Sequence, residues 1–585
     1  MLRSMHRLLA VFALCAVACQ KGGDAKPDAK VDPKAGATAT GAASSAAGEA
    51  VQAGAVVTAC PQSLGGSDKL NRVISKDCGV VPVTEDYYVD GGSLTLEAGA
   101  SLSFKDGVGL FIGYYEPARL IVTGSAESPV VLTAAGDKAA GAWRGVSLNA
   151  HADRSSIEGL VIEYAGNDES ALFVDAEEVT LKGVKIRDAK GTGLLVGDTA
   201  SFAAFGGNEF KKLGKLAAID VPARAVAALG GGNRFDPNGH VLVRGGRVQQ
   251  NAKWQHPGAP LVLAGEVNVD GEDGQRATLE LVPGLELRFS EGGALLIGWH
   301  SLGGLNARGT AEAPIAFTAH ARREPGGWRG VGVFLQGEAN IERALFEFAG
   351  KGEGDGAVFV QGGALALTGT TFRSDVIGVS LDESAKLTAF ADNTFVATPL
   401  AVALTPAQIA GLGEGNAYDR DSKIRSTGGS MRGKLVWAAQ GAAIELTGEV
   451  SLDEGELEIE SGVALLAGPD AQLNVGTHGP ATLRMLGTVA SPVTIGPVDA
   501  ERGTWRGIAL TGNARANVLE NLVLTGAGND AAIQVEGGAD AKLSGVTCSK
   551  CSGAVIGWGC GAKVTSSQVL ATDGTPKLEV QPEGC

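Results

Sequence analysis

A tryptophan and two histidines stand at matched positions in the chain, where they could contact a ligand. Trp299-His300 and Thr477-His478 correspond to each other in two long sequence repeats, and Tyr114-Tyr115 occupies the same place in a third. No second histidine or carboxylate has metal-ligand spacing beside His300 or His478, so the spacing does not indicate a metal centre. An aromatic side chain in an outward loop can stack on a sugar ring. We therefore take Trp299, His300 and His478 as candidate ligand contacts, with variable loop decoration as the alternative.

Six cysteines stand near the two ends of the region that can fold, and they are predicted to form disulfides. Their number is even, and an exported chain meets oxidising conditions. Cys60 and Cys78 are the natural N-terminal pair, whereas the other four allow three connectivities that the sequence does not separate. The Cys548-Ser-Lys-Cys551 motif lacks the βαβ surroundings of a redox enzyme, and a four-cysteine zinc site is the remaining alternative. The six cysteines are Cys60, Cys78, Cys548, Cys551, Cys560 and Cys585.

Three acidic loops occupy equivalent places in the repeats and could supply oxygen ligands to Ca²⁺. They are residues 166–169, 352–355 and 528–530. They lack the G-G-x-G-x-D spacing of calcium-binding β-rolls and the ligand order of an EF-hand. Solvated acidic turns are therefore the leading interpretation and no cofactor is predicted, with Ca²⁺ binding as the alternative.

A Trp-Arg-Gly element marks each repeat and raises the question of a ligand platform. It occurs at residues 143–145, 328–330 and 505–507, which are steps of 185 and 177 residues. Arg144 precedes Glu163 by about one structural period, and Arg329 precedes Glu347 in the same way. The spacing predicts an ion pair between each arginine and that glutamate, while the tryptophan fills a corner of the fold.

Asparagines precede aromatic residues by two positions at four related places. Each follows Gly or Asp, a combination that favours left-handed turns in which the asparagine amide bonds to neighbouring backbone. We predict a structural role for them. They are Asn208, Asn233, Asn393 and Asn416.

Motifs of common enzyme classes are absent from the sequence. No G-x-S-x-G, H-E-x-x-H or Walker A sequence occurs, and the motifs of polygalacturonase-like enzymes are represented only by an isolated His478-Gly479. Features that face outwards recur in all repeats, whereas a catalytic site usually breaks internal symmetry. Catalytic residues are thus unknown, and an enzyme is the less favoured interpretation.

Short strands recur within each repeat after about 22 residues. Ala171-Leu-Phe-Val174 is followed by Val179-Thr-Leu181, Gly183-Val-Lys-Ile186 and then Gly193-Leu-Leu-Val196. Alternating apolar and polar residues between glycine, asparagine or aspartate turns favour strands. Three short strands per period predict the coils of a parallel β-helix. With about 505 residues in the repetitive part, the period predicts roughly 23 coils and a rod about 110 Å long at the usual strand spacing.

The repeat resembles a known protein class at this point. The pattern P-G-x-x-L-x-F, G-T-A-x-x-P-I-x-F-T and W-R-G-[VI] stands at Pro283-Gly284, Phe289, residues 309–318 and residues 328–331. It is similar to the right-handed parallel β-helix proteins, with a pectin-lyase-like fold, of bacterial surfaces. The resemblance covers residues from about 80 to 585. It implies an all-β right-handed solenoid of about 2.7 long repeats that is capped at both ends, and polysaccharide lyases or hydrolases are the enzymes known on this fold.

The N-terminal residues predict export and lipid attachment. Arg3 and Arg7 precede an apolar stretch, and Ala16-Val-Ala-Cys19 resembles the lipobox of bacterial lipoproteins, in which the cysteine receives the lipid. We predict a signal peptide (1–18), a lipidated Cys19 with a disordered tether (19–58), an N-terminal cap (59–93), repeat 1 (94–278), repeat 2 (279–456), and a partial repeat 3 with a cysteine-rich C-terminal cap (457–585). Ordinary cleavage without lipidation is the alternative.

Charge and location narrow the class of partner. The formal net charge is −16, which argues against nucleic acid. Gln20 after the predicted lipid site is typical of sorting to the outer membrane, on either its periplasmic or its surface side. The leading hypothesis is a lipid-anchored envelope scaffold or adhesive rod that binds glycan or another envelope protein. A polysaccharide lyase or glycoside hydrolase is the alternative.

Overall fold

The computed structural model describes residues 55–352, 354–499, 505–528 and 530–580. They belong to one compact unit, Val51–Cys585. Short parallel strands stack into a β-solenoid of about 21 turns, which confirms the predicted all-β coil architecture. The predicted signal peptide, Cys19 and nearly all of the tether lie outside the described residues, as does Cys585. None of the helices in the described ranges is long and apolar enough to cross a bilayer.

Each coil contributes about three strands, which we number as faces 1, 2 and 3 by their order along the coil, and almost every strand pairs in parallel with strands of the neighbouring coils. The ladders of faces 1 and 2 are interrupted near Ala223–Ala228, so a face number gives the order of a strand in its coil and not a direction. Face 1 contains Val56–Val57, Asn71–Ile74, Ser93–Glu97, Arg119–Thr123, Ser156–Glu158, Val179–Lys182, Phe202–Gly206, Gly246–Val248, Glu266–Val269, Ala294–Ile297, Gly330–Phe334, Val358–Gln361, Ile377–Leu381, Leu400–Leu404, Lys423–Ser426, Ile444–Leu446, Ala464–Ala467, Val493–Pro497, Leu522–Thr525, Thr547–Ser549 and Leu570–Thr572. Face 2 contains Ser101–Phe104, Val130–Ala134, Leu160–Glu163, Lys185–Ala189, Glu209–Leu213, Arg234–Phe235, Ala252–Trp254, Ala277–Leu281, Gly303–Arg308, Gly337–Glu342, Ala364–Thr368, Lys386–Ala391, Leu473–Val475, Ile508–Leu510, Ala531–Val535, Ala554–Trp558 and Lys577–Val580.

Face 3 completes the coil. It contains Gly109–Ile112, Gly145–Leu148, Ser170–Val174, Thr192–Val196, Ala217–Pro222, His240–Arg244, Leu261–Leu263, Glu286–Phe289, Ile315–Ala319, Ala344–Glu347, Thr371–Arg373, Thr394–Val396, Ala417–Tyr418, Ala481–Leu486, Asn517–Glu520, Asp540–Ser544 and Lys563–Ser567. Four longer strands bend across two faces: Leu64–Asp68, Val80–Val89, Gly429–Trp437 and Val450–Glu460. The described helices are short: Lys76–Cys78, Ala223–Ala228 and Pro406–Ile409.

Coil length varies more than the predicted period. The step between Arg425 and its partner Glu445 is 20 residues, whereas Gly109 pairs with Gly145, 36 residues later. The longer coils contain outward loops between the same three strands. This extra length explains why the chain makes about 21 turns rather than the predicted 23.

Alternation along each strand fills the interior with stacked apolar side chains. In Ser93–Glu97, Leu94 and Leu96 are fully buried while Thr95 between them points outwards. The largest stack runs along face 3 in repeat 2, where neighbouring ring centroids are 4.5 to 6.4 Å apart. Its members are Phe289, Phe317, Phe346, Phe372, Phe395 and Tyr418. Burial of such rings supplies much of the favourable free energy of folding.

Buried asparagines connect neighbouring coils at one corner, as their spacing predicts. Asn208 Oδ1 accepts a hydrogen bond from the Val184 backbone amide, and the Asn208 backbone amide donates to Asn233 Oδ1, both at 3.0 Å. Asn393 and Asn416 repeat the arrangement in repeat 2. The predicted left-handed conformation belongs instead to the preceding residue, such as Gly207 with φ of 67° or Asp392 with φ of 57°. The turn is made one residue earlier, which leaves the asparagine extended and aims its side chain along the solenoid.

The strands that correspond in the three long repeats belong to different hydrogen-bonded sheets. Seven successive strand pairings lead from Gly109–Ile112 in repeat 1 to Glu286–Phe289 in repeat 2. The strand that corresponds to Gly109–Ile112 in sequence is the next one, Ala294–Ile297, which belongs to another sheet. Seven further pairings along that sheet lead to Ala464–Ala467, and the strand that follows, Leu473–Val475, corresponds to both in sequence and belongs to a third sheet.

Disulfides lie within the coils near both ends. Cys60 is bonded to Cys78, and Cys548 to Cys551. Cys560 is also disulfide-bonded. Cys548 lies on a face 1 strand that is paired on both sides, so this bond sits inside the ladder. Residues 59–93, predicted as a cap, likewise contribute strands that pair with the following coils.

One buried carboxyl group gives the fold a predictable pH dependence. Burial raises the pKa of Asp375 to about 8, far above its value of about 3.9 in an unfolded chain. Asp375 Oδ1 accepts a hydrogen bond of 2.7 Å from the Ala349 amide, and Oδ2 has no hydrogen-bond partner among the described residues. The folded state therefore keeps a proton that the unfolded state releases, and the free energy of unfolding falls as pH rises between these two values.

We expect Asp375→Asn to remove this pH-dependent fall in the free energy of unfolding, because asparagine can still accept a hydrogen bond from the Ala349 amide and cannot ionise. Relative to the variant, the wild type should lose roughly 1.4 kcal/mol of unfolding free energy per pH unit between about pH 4 and 8. Urea denaturation of both chains at the two ends of this range measures the difference. An equal difference at both pH values would show that Asp375 is not the group responsible.

Candidate functional site

An outward row of side chains crosses face 3 in repeat 1. Register pairs Tyr88 with Phe111, Phe111 with Ser147, Ser147 with Phe173, and Phe173 with Leu195. Their strand neighbours, such as Leu110 and Ile112 beside Phe111, point inwards and are fully buried. Side chains alternate along a strand, so a residue whose two neighbours point into the core must itself point outwards. This places the aromatic residues of the row on the surface.

The row ends in a cluster of four aromatic rings. Tyr88 stacks on Phe111 with ring centroids 4.8 Å apart, and Tyr114 and Tyr115 approach Tyr88 at 5.8 and 6.4 Å. Tyr114 is 49% exposed and Tyr115 is 72% exposed. Exposed rings in such a group, rather than singly, are typical of a binding surface.

The loop that carries the two tyrosines is held by a buried carboxylate. Asp90 is 2% exposed, and its Oδ1 accepts hydrogen bonds from the amides of Tyr115 at 2.9 Å and Glu116 at 3.3 Å. Asp270 accepts from the His300 amide in repeat 2 at 3.0 Å. The same anchor thus fixes the corresponding loops, while the residues at their tips differ.

A shallow groove of about 310 Å³ continues the aromatic cluster along the row. Phe111 and Phe173 form its apolar floor, separated by the small Ser147, and Arg144 and Asp168 form one side. The lining residues are Phe111, Arg144, Gly145, Val146, Ser147, Asp168, Glu169, Ser170, Phe173 and Leu195. We name this surface, together with Tyr88, Tyr114 and Tyr115, the aromatic groove.

Arg144 bridges two carboxylates beside the groove, and the predicted pair with Glu163 is wrong. Arg144 lies 3.1 Å from Asp86 Oδ2 and 3.7 Å from Asp168 Oδ2, whereas Glu163 pairs with Arg187. The physical reason is that Arg144 immediately precedes a face 3 strand, while Glu163 ends a face 2 strand.

The same correction applies in repeat 2. Arg329 lies 2.9 Å from Glu266 and 3.2 Å from Asp355, and Glu347 pairs with Arg373 at 3.1 Å. The spacing of about one coil between each arginine and its glutamate instead reflects a hydrogen bond from the tryptophan that precedes the arginine to the backbone carbonyl of that glutamate. Trp328 Nε1 donates to the Glu347 carbonyl at 2.9 Å, and Trp143 Nε1 donates to the Glu163 carbonyl at 2.7 Å. Both tryptophans are fully buried, as a corner-filling role requires.

Tyr88 is the titratable ring closest to these charges. Partial burial raises the pKa of its phenol, and the neighbouring Asp86 carboxylate raises it further by repelling the phenolate. Arg144 acts in the opposite direction. The aromatic cluster and the Arg144 group are therefore electrostatically coupled.

The corresponding surface of repeat 2 is closed. Four side chains form a buried apolar cluster separate from the main core, and it includes Leu296, Phe334 and Phe359. Gly332, at the place of Ser147, has the Phe359 ring directly above it, because an added Cβ would lie 2.6 Å from that ring. Trp299 packs its edge on Phe334 at 4.2 Å and is 48% exposed. These rings fill the space that is open in repeat 1.

The corresponding surface of repeat 3 is polar. Asn474, Ala509 and Gln534 occupy the outward row, and His478 Nδ1 lies 3.1 Å from Asp453 Oδ1. The pKa of Asp453 is lowered, first by the Thr477 hydroxyl that donates to it and also by His478. Thr477 and His478 stabilise the buried carboxylate of this copy, Asp453.

The predicted contact residues thus lie far apart along the solenoid. Trp299 and His300 follow Ala294–Ile297, whereas His478 follows Leu473–Val475 about seven coils later, so the structure does not bring them together. Sequence reasoning missed Tyr88, Phe111 and Phe173. The only signal was the alternation within Gly109–Ile112 and Ser170–Val174, where an aromatic residue falls between two apolar ones and reads as core.

The acidic loops proposed for Ca²⁺ contribute the partners of the arginines. Asp168 and Asp355 belong to two of these loops and bond to Arg144 and Arg329. In the described parts of the chain, no group of three or more histidine, cysteine, aspartate or glutamate side chains is arranged to hold a metal ion. The third loop includes Asn529, which lies outside the described residues.

Comparison with known proteins adds little beyond the fold. A solved structure titled as a PL6 family alginate lyase, AlyGC, is 12% identical to the chain, with 84% of this chain and 86% of that chain covered, at a TM-score of 0.26. A likeness this low says nothing about function. No protein-family model matches the chain. No curated protein sequence matches it either. Fold and site together define a parallel β-solenoid whose described residues form an aromatic groove in repeat 1.

Arg144→Gln should raise the pKa of Tyr88 further, because it removes the one neighbouring charge that favours the phenolate. Ultraviolet absorbance during alkaline titration measures the phenol, and the curve of a Tyr88→Phe chain, subtracted in both backgrounds, isolates Tyr88. Stability should change by less than about 1 kcal/mol, since the ion pairs of Arg144 are exposed. An unchanged Tyr88 titration would contradict the described coupling.

Proposed function

We propose that this protein is an envelope-anchored glycan-binding rod whose ligand lies on the aromatic groove of repeat 1. The observation that carries the proposal is the outward-facing, half-buried row of Tyr88, Phe111 and Phe173, with the exposed Tyr114 and Tyr115 beside it. Sugar rings present an apolar face of C–H groups and a polar edge of hydroxyls. Stacked rings in register with polar groups at the side suit both surfaces.

Comparison among the repeats supports placing the site in repeat 1. The three surfaces correspond in sequence, but Phe334 and Phe359 seal the one in repeat 2, and Asn474, Ala509 and Gln534 replace the outward residues of the row in repeat 3. Repeat 3 has a groove of about 780 Å³ with one lining ring, Trp558, whereas repeat 1 places a cluster of four rings, two of them well exposed, beside its groove. A scaffold needs no such difference, whereas a binding protein does.

Binding is favoured over cleavage by the state of the nearby acids. Asp86 and Asp168 both pair with Arg144, one on each side, so that Glu169 is the one remaining acid among the described residues that line the groove. A matched acid and base would need two such groups. Lyases and hydrolases need such groups beside the bond that breaks. The polysaccharide lyase or hydrolase alternative therefore has no observation of its own in this groove, and the test below includes cleavage as an outcome.

Anchoring completes the proposal and rests on the sequence alone. Residues 1–18 would direct export, Cys19 would receive the lipid, and the tether to residue 58 would separate the solenoid from the membrane. The lipid would hold the protein at the outer membrane, with the solenoid free to meet glycan or another envelope component. Disulfides near both ends suit a chain that works in an oxidising compartment.

Phe111→Ala combined with Tyr88→Ala should abolish retention on insoluble polysaccharide, because the stacking surface is lost while the core side of both strands is unchanged. Co-sedimentation of the full chain with a panel of polysaccharides measures retention, and reducing-end and unsaturated-product assays on the supernatants measure cleavage. Trp299→Ala is the matched control, since it removes an exposed ring from the equivalent loop on face 1. Equal loss in the control, or cleavage by the wild type, would contradict the proposal.

Cys19→Ala should release the protein from membranes, because one lipidated cysteine is the proposed anchor. Fractionation of cells that express each form, followed by detergent extraction, measures the distribution. The wild type should sediment with outer-membrane fragments and the variant should remain soluble. A variant that still sediments with membranes would refute lipid anchoring while leaving the glycan proposal intact.

A further inference from the structure

We infer that the aromatic groove selects glycans that carry no carboxylates, with amino sugars preferred and uronate polymers disfavoured. The inference rests on the proposed function and names the class of ligand for the same site. Two observations support the inferred preference: the negative charge at the edge of the groove, and the pairing of its cation, Arg144, with two acids.

The groove has a negative edge. Asp86, Asp168 and Glu169 stand along it, and Arg144 is the cation among them. With all four groups ionised, the edge has a net charge of −2. A protonated amine on a bound sugar would be attracted to this edge, and a uronate carboxylate would be repelled.

Arg144 is already paired with two acids, with which an incoming carboxylate would have to compete. It lies 3.1 Å from Asp86 and 3.7 Å from Asp168. A uronate that took the place of either acid would leave that acid beside the new carboxylate with no cation between them. The displaced aspartate and the uronate carboxylate would then repel each other, which weakens uronate binding.

The pattern repeats farther along the same outward row. Asp220 pairs in register with Leu195, the last side chain of the groove, and it bonds to Arg244 at 2.5 Å. Arg244 in turn lies 3.4 Å from Asp198. A longer glycan that followed the row would thus meet a second arginine flanked by two acids. The chain as a whole has a net charge of −16, which also opposes approach by a polyanion.

The test uses the full chain and three matched oligosaccharides of glucose, glucosamine and mannuronate. Isothermal titration at low ionic strength, at a pH where the amine is protonated and the uronate ionised, gives the three affinities. We expect glucosamine to bind most tightly, glucose less tightly and mannuronate least. The differences should shrink as salt is added, since the charged groups are exposed.

Asp168→Asn combined with Glu169→Gln isolates the electrostatic contribution. Each neutralised carboxylate should change the affinity of a charged ligand roughly threefold at the distance of the groove edge. Together they should weaken glucosamine binding and strengthen mannuronate binding by about tenfold each, with glucose unchanged. Asp355→Asn is the matched control, because Asp355 has the same role beside Arg329 in repeat 2.

Each outcome separates the inference from the function on which it rests. Mannuronate binding as tight as glucosamine binding, or equal effects of the Asp355→Asn control, would overturn the preference while the glycan site stands. Glucosamine binding that survives Phe111→Ala would place the attraction elsewhere on the acidic surface and would also overturn it. No binding of any of the three sugars would refute the proposed function, and the preference with it.

Discussion

Parallel, in-register pairing between successive coils is the constraint on which the whole structure depends. Each strand must place its inward side chains over those of the previous coil, so the core becomes a set of ladders of similar residues. The phenylalanine stack from Phe289 to Phe395 and the asparagine pairs at the corner are two such ladders. Long insertions lie between strands, which is why a coil can lengthen to 36 residues without disturbing its neighbours. Single-residue register shifts occur within a few strand pairs.

The same constraint separates the three repeats along the solenoid. The strand after Trp-Arg-Gly belongs to a different hydrogen-bonded sheet in each repeat, and about seven coils lie between successive copies. The side chains of the three surfaces differ: repeat 1 has clustered aromatic rings beside a groove, repeat 2 is sealed, and repeat 3 has a groove lined mainly by small and polar residues. The sealed surface buries Phe334 and Phe359, which makes it part of the fold rather than a site.

Architecture could be predicted from the sequence because it depends on local patterns that repeat many times. Alternation in strands such as Ser93–Glu97 and the recurring glycine corners specify coils without knowledge of distant contacts. The site depends on something else, namely which residue lies above which in the next coil. Phe111 and Phe173 are 62 positions apart and become near neighbours only through the register of two pairings. Spacing alone predicts an ion pair between Arg144 and Glu163, but the two residues lie at different strands of the coil and pair with other partners.

The most direct test of this account is a footprint of the bound glycan on the full chain. Carbene labelling followed by mass spectrometry, with and without a saturating oligosaccharide, reports which surfaces the ligand covers. The account predicts protection confined to peptides that contain Tyr88, Phe111 to Tyr115 and Phe173, with no change around Trp299 or His478. Protection at all three equivalent surfaces, or at a surface away from face 3 of repeat 1, would contradict a single aromatic groove.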